Sequence, residues 1–292
     1  MSTNAPPLDN LDAYDDLDDA PPTSSGNRRH RLLVVAVQIG LFVVIFGGWE
    51  LCTRLGILDV FFFGSPSGIL TQLWTWATRG TDAGPLAQQI GVTLWEAVLG
   101  FLIGVALGVL CGIALGRVRF LAEVFAPYIK AINAVPRIVL GSVFAVLFGL
   151  GLQSKVALAV VLVFFLVFFN AFQGAREVDR NLVANARILG ASHAQVIAHV
   201  VLPSALTWII ASLHSAFGFA LIGAIVGEFL GSTKGLGLLV TQSQGNFNID
   251  GVFAAMTIMA VVALLAEASI SMLERRLLAW RPPQLSGMDS TT

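Results

Sequence analysis

Seven ionisable residues stand inside or at the edge of long apolar runs: Glu50, Glu96, Lys130, Arg137, His214, Glu228 and Glu267. A charge at the centre of a bilayer costs about 3 kcal/mol or more, so such groups pair, reach an interface or line a polar pathway. Glu50, Glu96 and Glu267 lie near the ends of their runs and are expected to reach the interface. His214 lies near the middle of its run. It is either neutral and bonded to a backbone carbonyl, or turned to a pathway. Lys130 and Arg137 flank Pro136, where they either draw an anion inward or anchor a helix at the headgroups. Glu228 opens a glycine-rich segment and is expected to position a helix or a gate rather than hold a ligand. Lys130, Arg137, His214 and Glu228 are thus the candidates for a solute pathway.

Other chemistries find no residues to carry them. There is no Gly-x-Ser-x-Gly and no His-Glu-x-x-His, so neither an activated nucleophile nor a zinc protease is indicated, and no enzyme is expected. His193 and His199 are six apart, whereas a metal pair on a helix needs i, i+4 spacing and further ligands. No metal site is expected. Cys52 and Cys111 sit in or beside apolar runs and read as small packing residues.

The elements that must position these groups are membrane helices. Of 292 residues, 56% are hydrophobic and only 12% charged, and a net charge of −1 offers no field for nucleic acid. The mean hydropathy is +0.80. A span needs about 20 apolar residues. The runs 32–52, 92–115, 156–172, 204–227 and 252–273 qualify. The run 121–152 is too long for a simple span and is interrupted by Pro127 and Pro136. Residues 1–31, crowded with Asp9, Asp12, Asp15, Asp16, Asp18 and Asp19, read as a disordered acidic tail, and 282–292 as a flexible one. The membrane-embedded body is 32–281.

Basic residues orient the spans. Arg28, Arg29, Arg31, Arg117, Arg119, Arg176, Arg180, Arg187, Arg275, Arg276 and Arg281 fall on one side. Arg54, Arg79, Lys155 and Lys234 fall on the other, eleven against four. The bias places both termini in the cytoplasm. The second span carries Gly100, Gly104, Gly108, Gly112 and Gly116 at every fourth position, a face without side chains against which another backbone can pack. The spacing does not say whether that backbone belongs to this chain or to a second subunit.

The polar insert 176–203 has its own signals. Asp179 can cap a helix running to about residue 189, and Gly190 suits the left-handed position that ends it. Ser192 with Gln195 forms a capping-box pattern that starts a second helix. Val196, Ile197, Val200 and Val201 share one face of it, and Ser192, Gln195 and His199 another. Pro203 closes the unit and fits the first turn of the next span. A headgroup-bound linker would carry Lys or Arg on its polar face. Residues 190–203 have neither, so a knob fitted to a protein groove accounts for them better.

These residues resemble the signature of bacterial ABC importer permeases. Ala184-Asn185-Ala186 stands where the family has Glu-Ala-Ala, followed by Gly190, Val200, Leu202 and Pro203 at the family spacing. The runs 187–192, with Arg187, Gly190, Ala191 and Ser192, and 200–205 are similar to it. The Glu of the triplet is missing. Residues 64–67, 133–139, 228–232, 235–239 and 273–281 resemble segments of the nitrate, sulfonate and taurine branch, 228–232 with 235–239 resembling its outer loop.

The resemblance implies an all-α, six-span type I ABC importer permease in a bacterial inner membrane, with a cytoplasmic coupling-helix insert. It implies a second permease copy as a homodimer, two ATPase subunits that bind ATP and Mg and dock on the insert, and an extracytoplasmic solute-binding protein. The docking residues would be Ala184, Asn185, Ala186, Arg187, Gly190, Ala191, Ser192, Gln195, Leu202 and Pro203. No Gly-x4-Gly-Lys phosphate loop is present in this chain, so no nucleotide cofactor is expected in it. The expected cargo is a small anionic solute such as sulfonate, taurine or nitrate. A neutral or aromatic nutrient is the alternative, and a secondary transporter a weaker one.

Overall fold

The computed structural model describes residues 24–178 and 180–277. The acidic stretch before Ser24, the cap at Asp179 and the 282–292 tail lie outside the described residues. The chain divides into a unit ending at Leu58 and a unit starting at Asp59.

Among its described residues the first unit holds one long helix, α1 (Ser24–Arg54). It extends back into the stretch assigned to the tail, since helix propagates readily through Arg28, Arg29 and Arg31 once the apolar run behind them is helical. Glu50 accepts a 2.7 Å bond from Arg54 Nε one turn on.

The second unit holds α2 (Val60–Phe63), α3 (Pro66–Arg79), α4 (Leu86–Arg117) and α5 (Arg119–Ala134). A 3-10 turn (Arg137–Val139) leads to α6 (Leu140–Phe148) and α7 (Leu152–Arg176). Then come α8 (Arg180–Ile188), α9 (His193–Val196), a π-helical turn (Ile197–Val201), α10 (Leu202–Leu230), α11 (Leu236–Gly245) and α12 (Ile249–Leu277). No strand occurs among the described residues, as an all-α fold requires. Five helices are long and apolar enough to span, and α5 with the following turn and α6 makes a sixth, bent by 78°. The bend falls at Val135 and Pro136, because the proline lacks an N–H and pushes the residue before it out of helix. Pro127 stays inside α5. The break expected there does not occur.

Two helices were not evident from composition. Residues 66–79 are too short and polar for a span, yet Ser65 caps Gly68 N–H at 3.0 Å and Pro66 opens α3. Its apolar stripe, Ile69 and Trp76, is buried, and Ser65 N–H donates to Asp250 Oδ1 of α12 at 2.8 Å. Most of 235–239, expected in an outer loop, is the start of α11 (Leu236–Gly245), which packs on α10 and α12.

The glycine row finds its partner within this chain. A Cβ at Gly100, Gly104, Gly108, Gly112 or Gly116 would strike Ala159, Val163, Val167, Ala171 or Ala175, respectively. Both series advance by four, so α4 and α7 run parallel and in register along their whole shared length. α10 crosses α7 in the opposite sense, with Gly223 against Ala159 and Gly227 against Lys155. Between the three helices Ala97, Val163, Val167, Ala216, Phe217 and Ala220 form the core. Lipid tails are as apolar as leucine, so this close packing, rather than exclusion from water, holds the helices together.

Candidate functional site

The insert is built by local rules. α8 ends at a Schellman motif: Ala191 N–H donates to Ala186 O and Gly190 N–H to Arg187 O, each at 3.0 Å. Gly190 sits at φ 86°, the left-handed region a side chain avoids. One residue on, Ser192 N–H donates to Gln195 Oε1 at 2.8 Å, and Gln195 N–H to Ser192 Oγ at 3.3 Å, a reciprocal capping box. Val196 and Val201 are fully buried against Ala175 and Val178. These contacts fix the hinge to the end of α7.

Its far side is bare. Ala184, Asn185, Arg187, Ser192 and Gln195 are exposed and Ala186 and Ala191 half-buried. Ile188 and Leu189 stand out at 82% and 86% exposure. A depression of about 340 Å³ lies behind the tip, lined by Leu189, Gly190, Gln195 and His199. One expectation needs correcting. The second helix does not end at Pro203 but continues through the π turn into α10. Pro203 has no N–H to donate, and the widened turn instead bonds Leu202 N–H to Ile197 O. Knuckle and span are one continuous element, with Leu202 and Pro203 at their joint.

The opposite end of the bundle carries a buried polar node. Glu228 is fully buried. Its Oε1 accepts from Thr93 Oγ1 and its Oε2 from Gly237 N–H, both at 2.6 Å. Gln89 Oε1 accepts from Gly235 N–H at 2.8 Å and Thr93 Oγ1 from Leu236 N–H at 2.9 Å. Three side chains therefore satisfy the free amides at the start of α11. A Cβ on Gly235 or Gly237 would collide with Glu228, which accounts for the glycines there. Glu96 is buried beside Glu228; it does not reach the interface as expected. Lys155, counted above among loop charges, is 2% exposed, and its Nζ donates to Leu150 O and Gly151 O at 2.5 and 3.0 Å. Gln89, Thr93 and Glu96 continue the face that carries Gly100 to Gly116, a pattern visible in the sequence and missed there.

The other pathway candidates are not brought together. His214 Nε2 lies 3.0 Å from Glu267 Oε1, with both side chains partly exposed within their spans. The partner is a carboxyl group rather than a backbone carbonyl. Arg137 bonds Asn133 and stacks 4.8 Å over Phe165. Lys130 lines a cleft with Arg117 and Arg176. No metal-like cluster of His, Cys, Asp or Glu exists among the described residues.

A hinged knuckle on a close-packed bundle of spans matches known proteins. Residues 104–279 match the family described as the binding-protein-dependent transport system inner membrane component. SsuC of Bacillus subtilis, named for aliphatic sulfonate transport, is 31% identical over 82% of this chain and 85% of its own length. The riboflavin transport system permease protein RibX of Chloroflexus aurantiacus is 31% identical over 80% and 85%. An inward-facing structure of the MetNI methionine ABC transporter shares the fold, at 19% identity and TM-score 0.53 over 66% of this chain and 94% of that one. The chain belongs to the binding-protein-dependent transport permeases, as its resemblance to ABC importer permeases implied.

Proposed function

We propose that the chain is the membrane-spanning half of an importer for a small anionic organic solute of the sulfonate or taurine type. It works with a second copy of itself, with two ATPase subunits that bind ATP and Mg, and with an extracytoplasmic binding protein. The observation that carries this reading is the bare apolar tip, Ile188 and Leu189, on a hinge rigidly continuous with α10. Pressing on the tip would tilt a span, which is what coupling nucleotide closure to transport requires.

The test uses the assembled transporter. Replacing both Ile188 and Leu189 by glutamate should cut co-purification of the ATPase roughly thirty-fold, about 1 kcal/mol or more for each buried anchor lost, and abolish uptake. Unchanged co-purification would refute docking at the tip. Uptake that persists after ATP depletion would favour a secondary transporter instead.

The insert and both termini face the cytoplasm in this reading, supported by the arginine bias. A cytoplasm-dependent reporter fused after Trp280 should be active. Activity only of a reporter that requires export would invert the topology.

For the pathway, His214 and Glu267 are the best-placed polar pair, and a carboxyl group among them does not by itself select an anion. They sit about 15–18 Å from the insert end of their helices, too deep for a partly exposed polar pair to face hydrocarbon cheaply. That face of α10 and α12 turns to a water-filled route. The similarity to RibX, equal to that of SsuC, favours an aromatic cargo as the second reading.

A further inference from the structure

At the insert end, α4, α5 and α7 enclose a cleft of about 740 Å³ that neither docking nor the pathway uses. Arg117 and Arg176 stand at its rim at one level, because the register pairs Gly116 with Ala175 immediately before them. Lys130 lines it from α5. Phe168, Phe169 and Phe172 form its inner wall, climbing about 12 Å of helix from Arg176 toward the middle of the span. Arg176 is held 5.3 Å over the Phe172 ring, itself stacked on Phe168 at 6.0 Å. Arg117 Nε is buried and has no hydrogen-bond partner among the described residues. Glu123, also on the lining, has interactions of its own.

Three cations against one carboxylate select an anion. The aromatic wall running inward from them selects an anion with an apolar tail. A small inorganic ion would leave the wall uncovered, and a protein surface would have to enter between spans to reach it. The place is the headgroup level of the bilayer, where basic pockets between helices meet anionic lipids.

We propose that this cleft is a binding site for an anionic phospholipid. Arg117 and Arg176 hold the phosphate, Lys130 adds a third cation beside the headgroup, and an acyl chain lies along Phe172 and Phe168. Lys130 thereby belongs to a lipid site rather than to the solute route.

The test is native mass spectrometry of the full transporter, purified in mild detergent and supplied with phosphatidylglycerol or phosphatidylcholine. The intact complex should retain phosphatidylglycerol selectively. Arg117→Gln with Arg176→Gln should weaken that retention about thirty-fold, and Lys130→Gln about five-fold, taking each cation at its usual worth near a membrane surface. Lys130 is exposed, so its variant tests the site without disturbing the fold. Equal retention of both lipids, or selectivity unchanged in all the variants, would overturn the proposal. So would full displacement of phosphatidylglycerol by millimolar inorganic phosphate or taurine, which would assign the cations to a free anion.

Discussion

Replacing Gly108 by leucine should leave no folded protein in the membrane. A Cβ alone at this position lies 2.9 Å from Val167 Cβ, 3.0 Å from Phe164 O and 3.1 Å from Phe168 N. Two of those three atoms are backbone, so no rotamer change relieves the clash and α7 must move. Gly104 and Gly112 meet Val160 O and Phe168 O in the same way, at 3.0 and 2.7 Å. The two helices therefore cannot separate locally without undoing the contact over several turns. Alanine at 108 should cost about 1–3 kcal/mol by overpacking, seen as a lower unfolding temperature of the purified protein. Leucine adds three carbons with nowhere to go. Gly91, on the same helix but with open space around it, is the internal control. Gly91→Ala should gain up to about 1 kcal/mol from helix propensity alone. If both alanine variants unfold at one temperature, close packing is not what holds α4 to α7.

That partnership illustrates how far the sequence could be read. Five glycines at every fourth position specify a close approach, and Ala159, Ala171 and Ala175 at matching intervals complete it. Nothing in the spacing says that the facing helix lies in the same chain, because periodicity describes one surface at a time. The knuckle was legible nearly in full, since Schellman motifs and capping boxes are local and each residue type answers one unpaired backbone group. The π turn was less so. It arises from a conflict between continuing a helix and accommodating Pro203, and the proline alone reads equally well as a stop. The far-end node was not anticipated as a unit. Gln89, Thr93, Lys155, Glu228 and the 235–237 amides come from four segments, and only the fold brings them together. Lys155 looked like a loop charge because it stands at the edge of an apolar run, where sequence cannot separate a residue that snorkels outward from one that turns in.

Glu228→Leu should abolish solute uptake while leaving the ATPase bound. Leu202, at the start of α10, and Glu228 are about 39 Å apart along the helix axis, and the knuckle rests on contacts with the end of α7 that do not involve the node. Leucine would strand the Gly237 N–H, leave the Thr93 hydroxyl only Gln89 O at 3.2 Å as acceptor, and leave Lys155, buried against Gly227 one residue away, with one carboxyl neighbour fewer. Leaving a buried amide without its acceptor typically costs about 1–3 kcal/mol, and the loss of a carboxyl group near the buried Lys155 adds to it, enough to free the start of α11 from α4 and α10. Glu228→Gln should fall between, since its carbonyl still accepts from Thr93 while its amide opposes the Gly237 N–H. The decisive comparison is the double variant Glu228→Leu with Lys155→Met. If the uncompensated ammonium is the main injury, removing it should restore part of the lost stability and uptake, a coupling that independent sites would not show. Strict additivity would mean that Glu228 serves only as a cap for α11. Loss of ATPase binding in Glu228→Leu would mean that the two ends of the bundle are not mechanically separate.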